Sequence, residues 1–149
     1  MKKTMIIIML SAIALTASAQ VSLFKKYEVA KGVESVYVSK ALLALASGYM
    51  NVGDMNIKSI TQKIETIRVL NCEDRVTAQK LKADAIAEFK KGKYEEMLRR
   101  KENSQQTYIY MKKAGHLNEF VLLNIESEEV QVINITGTMT MEDIQRITR

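Results

Sequence analysis

Between Tyr94 and Thr136 the apolar residues of this chain follow a period of two, in four runs at about 94–101, 106–113, 117–125 and 129–136. Asn103-Ser104-Gln105, Ala114-Gly115-His116 and Glu126-Ser127-Glu128 separate them. A period of two is that of a strand, and each separator has the length of a hairpin connection, so the spacing predicts a four-stranded antiparallel meander. The third run puts Phe120 and Leu122 on one face and Val121, Leu123 and Ile125 on the other. A run apolar on both sides belongs in the middle of a sheet.

Upstream the period lengthens. From Arg75 to Lys91, Ala78, Leu81, Ala85, Ile86 and Phe89 recur at three- and four-residue spacing, which predicts a helix with Asp74 as its N-cap. Gly92 directly after it is expected to be the left-handed residue that closes the helix. Val33–Val38 and Ile64–Leu70 read as strands. Ser39 stands as N-cap to a helix over Lys40–Met50, apolar nearly all round and so expected deep in the core or against a partner. Gly48, Gly53, Asp54 and Asn56 form a loop, and residues 20–32 a short helix or arm with Phe24 and Tyr27 tucked in. Thr140 caps a closing helix with Glu142 and Asp143 in its first turn and Ile144 and Ile147 facing inward. The order β-α-β-α, then the meander and a C-terminal helix, predicts an α+β fold. Its sheet is mixed to antiparallel, with the helices mainly on one face.

The chain opens with Met1-Lys2-Lys3-Thr4, an apolar run from Met5 to Leu15, and Ala17-Ser18-Ala19. A positive start, a short hydrophobic middle and small residues at the −3 and −1 positions are the pattern of a signal peptide cleaved after Ala19. The run is too short for a membrane span of about 20 residues. The expectation is therefore a leader over 1–19, a single domain over 20–149, and a mature product exported to the periplasm or beyond with no stable membrane span. Losing Lys2 and Lys3 leaves 20 basic residues against 17 acidic ones, a net charge of +3 instead of +5. The bases alternate with acids, as in Arg99-Arg100-Lys101 between Glu96 and Glu102, so no basic footprint for nucleic acid emerges. With 1 Cys, 1 His and no Pro, internal disulfides, multi-cysteine zinc sites and proline-rich segments are excluded. Neither a cofactor nor a metal is expected.

Gly32-Val33-Glu34-Ser35-Val36-Tyr37-Val38-Ser39-Lys40, Tyr94-Glu95-Glu96-Met97-Leu98, Asn118-Glu119-Phe120-Val121-Leu122-Leu123, Thr136-Gly137 and Met141-Glu142-Asp143-Ile144 resemble, in order and spacing, the exported bacterial family known as domain of unknown function 4252. The resemblance covers most of the chain beyond the leader. It implies an envelope or secreted protein and brings no activity, cofactor or site residue. Several members are lipid-anchored; no cysteine follows the apolar run here.

Candidate chemistry is sparse. Cys72 ends a strand just before a helix, but Glu73 and Asp74 oppose a thiolate, and the sole imidazole, His116, lies in a distant turn. Glu95 and Glu96 point to opposite faces of a strand. The turn acids Glu126, Glu128 and Glu129 lack the ligand pattern of a calcium loop. No catalytic residue is assigned. The binding candidates are Tyr108 and Tyr110, which share a strand face, with Tyr37 and Tyr94 on other strands. The functional expectation is a non-enzymatic envelope protein that binds a protein or small ligand through a sheet face. The alternatives are a self-assembling envelope subunit, a homo-oligomer favoured if the Lys40–Met50 helix is exposed in the monomer, and an enzyme using Cys72 and His116.

Overall fold

The computed structural model describes residues 19–45, 51–52 and 55–148. Residues 1–18 of the expected leader over 1–19, residues 46–50 of the apolar helix, and Gly48, Gly53 and Asp54 of the expected loop lie outside them. Helix α1 (Ala19–Glu28) leads into strand β1 (Val33–Ser39) and helix α2 (Lys40–Leu45). The two-residue strands β2 (Asn51–Val52) and β3 (Met55–Asn56) pair with each other, and a 3₁₀ helix (Lys58–Lys63) follows. Strand β4 (Ile64–Cys72) precedes helix α3 (Arg75–Lys91). The rest is β5 (Glu95–Glu102), β6 (Gln105–Ala114), β7 (Leu117–Glu126), β8 (Glu129–Gly137) and helix α4 (Met141–Ile147).

Six strands form one sheet in the order β1-β4-β8-β7-β6-β5, and every pair is antiparallel. The last four strands are the expected meander, with β7 inside the sheet and Phe120, Val121, Leu122 and Leu123 all fully buried. Strand β4 adds to the far side of β8, and β1 adds to β4.

Two apolar layers flank the sheet. On one face α1 and α3 cover Leu70, Val121, Leu123 and Val132 with Leu23, Phe24, Tyr27, Leu81, Ala85 and Phe89. Lys26 Nζ and Tyr27 Oη both donate to Asp84 Oδ2, at 2.7 and 2.5 Å, tying α1 to α3. The other face carries Ile67, Phe120, Leu122, Ile133 and Ile135 beneath Leu43, Ile57, Ile60, Ile144 and Ile147. The two longest helices thus share one face, and the short ones pack on the other because β4, β7 and β8 are apolar on both sides.

Local chemistry explains most boundaries. Asp74 Oδ2 accepts from the Thr77 N–H at 3.0 Å, which caps α3. Thr140 and Asp143 close a reciprocal capping box at α4, and Lys63 Nζ reaches the same Asp143 carboxylate at 2.8 Å. The Ser39 hydroxyl oxygen accepts from the Leu42 N–H at 3.3 Å, as an N-cap should.

Two expectations change. Gly92 has φ −78° and is not left-handed; the left-handed residue is Lys93, at φ 58°. The Tyr94 N–H bonds the Phe89 carbonyl and the Lys93 N–H that of Lys90, so the helix ends in a Schellman motif one residue later than expected. Glycine suits position 92 because a Cβ there would meet the Glu88 carbonyl and the Tyr94 ring at 3.0 Å. The described part of the apolar helix, α2, is not deep in the core either. Only Leu43 is buried; Leu42 and Leu45 are exposed. It follows the edge strand β1 directly, so only one of its sides reaches the sheet.

Candidate binding surfaces

Three of the four candidate tyrosines meet on the α3 face. Tyr108 and Tyr110 stack with ring centroids 6.3 Å apart and 12° between planes. Phe89 lies 4.8 Å from Tyr110 and 5.4 Å from Tyr94, which its place after the Schellman turn brings back over the helix. Tyr110 is 8% exposed, so its ring is part of the core and no solvent-facing binding group. Burial pushes its hydroxyl pKa up. Tyr108 remains half-buried, with the Arg99 guanidinium 5.7 Å from its ring.

Tyr37 stands apart. The register runs Tyr37–Arg68–Asn134–Val121–Tyr110 across the sheet, so four strand spacings, roughly 19 Å, separate it from Tyr110. Its ring is exposed, with the Arg68 guanidinium 5.4 Å above it. At the end of the α3 face, Tyr94 Oη donates to Glu119 Oε2 at 2.7 Å and Asn134 Nδ2 donates to Glu119 Oε1 at 3.2 Å. Burial first, then that bond to Glu119, holds the Tyr94 phenol well above its ordinary pKa.

Cys72 is 1% exposed and its Sγ lies 3.5 Å from the Asp74 carbonyl. Burial pushes the thiol pKa up, opposite to what a nucleophile needs. Cys72 shares a row with Val130 and Ile125, while His116 precedes Leu117 at the other end of β7. Eight residues along a strand put them roughly 26 Å apart, which is no dyad. Among the described residues no three of His, Cys, Asp and Glu are grouped to hold a metal ion. No described helix is long and apolar enough to cross a membrane.

The opposite face holds a surface that the individual strands do not reveal. Helix α3, with 17 residues, is about 25 Å long, whereas α2, the 3₁₀ helix and α4 have only six, six and seven. Strands of about 30 Å outrun those short helices, and one end of this face stays open. There the register aligns Glu34, Asn71, Gln131, Asn124, Thr107 and Arg100 across all six strands. Asn124 Nδ2 donates to Gln131 Oε1 at 3.2 Å and Gln131 Nε2 donates to Asn71 Oδ1 at 2.7 Å, a chain of amides across three strands. It leaves Asn71 Nδ2 and Asn124 Oδ1 without a hydrogen-bond partner among the described residues. The next row inward is apolar, with Ile133, Leu122 and Ile109. Together the rows line a groove of about 900 Å³, bordered by Met55, Ile147 and Thr148 and rimmed by Glu102, Glu126 and Glu129. The sequence signal was a polar residue interrupting each apolar run, as in Leu123-Asn124-Ile125 and Val130-Gln131-Val132. That the interruptions align depends on the register between distant strands.

No curated protein and no solved structure matches the chain. The family model described as domain of unknown function (DUF4252) matches residues 27–147, from Tyr27 in α1 to Ile147 at the end of α4, and the chain belongs to that family.

Proposed function

We propose that this protein is a non-enzymatic, exported binding domain of the cell envelope, and that it holds a peptide or small ligand against the open end of its sheet. The observation that carries this reading is the amide chain Asn71–Gln131–Asn124 beside an apolar floor. Amides at the ends of that chain offer a free donor and a free acceptor, while Ile109, Leu122 and Ile133 offer apolar area, the usual division of labour in a ligand groove. Its volume of about 900 Å³ falls within the range of small-molecule sites, roughly 300–1,000 Å³. Rim acids outnumber Arg100, which favours a ligand with positive charge.

Affinity capture from envelope extracts, with the protein expressed from its full 149-residue sequence, tests the assignment. A partner that binds the parent should be retained by Tyr108→Ser and lost by Gln131→Leu. Binding that survives Gln131→Leu and disappears with Tyr108→Ser moves the site to the α3 face and refutes the groove.

A further inference from the structure

The two edges of the sheet are unlike. Strand β5 carries Glu95, Glu96, Arg99, Arg100, Lys101 and Glu102, and an edge so charged resists pairing with another strand. Strand β1, Val-Glu-Ser-Val-Tyr-Val-Ser, has one charge. It also carries exposed apolar side chains, Val36 at 49% and Tyr37 at 58%, and α2 directly after it adds Leu42 at 47% and Leu45 at 85%. Four of the six exposed large hydrophobic residues among the described ones therefore fall within ten positions at this one edge, where half the backbone N–H and C=O groups also point away from β4.

We propose that the partner of this edge is a second copy of the chain, paired antiparallel through β1 about a two-fold axis at Tyr37 to give one twelve-stranded sheet. Side-chain chemistry selects this register. With Tyr37 opposite itself, Val36 faces Val38 of the second copy, Ser35 faces Ser39, and Glu34 comes beside Lys40. Lys40 is exposed and already 2.7 Å from Glu65 of its own chain, so Glu34 of the second copy would join an existing ion pair. Moving the axis to Val36 would set Glu34 against Val38, a charge against a buried apolar side chain, and would leave Lys40 unmatched. Such exposed pairs add little energy but exclude wrong registers. This inference rests on the outer edge of β1 and not on the amide chain, whose Asn71, Gln131 and Asn124 lie one, two and three strands away; Glu34, at the end of the groove's polar row, is the one residue the two surfaces share.

Sedimentation of the protein at concentrations up to roughly 0.1 mM should show twice the mass of one chain, since a micromolar interface is saturated there. Tyr37→Lys places two like charges at the axis and should weaken the dimer at least about tenfold, or about 1.4 kcal/mol, while at dilutions where both proteins are monomeric its melting temperature should match the parent's, because Tyr37 is exposed. Under oxidation Tyr37→Cys should cross-link to itself, and Val36→Cys should not. A monomer throughout the range, or a dimer indifferent to Tyr37→Lys, overturns the edge; cross-linking by Val36→Cys in place of Tyr37→Cys overturns the register.

Discussion

Replacing Tyr110 by Ser removes a ring 8% exposed that touches Phe89 on one side and Tyr108 on the other. A buried tyrosine takes roughly 150–200 Å² out of water, which at about 25 cal/mol per Å² amounts to about 4–5 kcal/mol as an upper bound. Large-to-small changes at buried aromatic positions cost about 3–5 kcal/mol, so the two routes agree. With a urea slope of about 2 kcal/mol per M, the unfolding midpoint should fall by about 1.5–2.5 M. Leu123→Asp puts a charge among the same buried neighbours and should be at least as damaging. Tyr108→Ser, at a half-buried position, should shift the midpoint by no more than about 0.5 M. If Tyr110→Ser unfolds within about 0.5 M of the parent with an unchanged slope, the ring is not packed under α3 and the aromatic face returns as a binding surface.

The Schellman turn makes a second prediction. Lys93→Gly should raise stability by about 1 kcal/mol in thermal melts by removing a side chain from a left-handed position, whereas Gly92→Ala should lower it; a neutral Lys93→Gly would contradict the turn. Acid should weaken the α4 junction. Hydrogen bonding to the Lys63 ammonium, then to the Thr140 N–H, holds the Asp143 carboxyl below its ordinary pKa. Its folded value is depressed, so its stabilisation is present above the unfolded pKa of about 3.9 and is lost as pH falls through the folded one. The stability difference between the parent and Asp143→Asn, measured in urea, should shrink as the solution is acidified through that range; a difference independent of pH would show that the charge is idle.

What could be read from the chain was what neighbours in sequence decide. Hairpin lengths set the meander, and Asp74, Thr140 and Ser39 announced their helices because an N-cap reports on amides only two or three residues away. Features that depend on distant partners were not legible. Gly92 looked like the left-handed residue until the Tyr94 ring, folded back onto Phe89, claimed the space a side chain there would fill. Tyr37 shares a face with Tyr110, yet three strands stand between them. The hydrophobicity of α2 suggested depth, and its position after an edge strand determined exposure instead. Asn71, Asn124 and Gln131 each look like an interruption of an apolar run; side by side they form the candidate groove.

The pairing of β4 with β8 also governs the order in which the molecule can be assembled. Fifty-eight residues separate Cys72 from Val130, and 73 separate Ile64 from Gly137. At about 5–20 residues per second of synthesis, roughly 3–15 s pass between the appearance of β4 and that of the strand that completes it. Each meander strand waits only for the next hairpin. Until β8 appears the inner edge of β4 has no partner, and an unpaired strand edge is where a growing chain most readily mispairs.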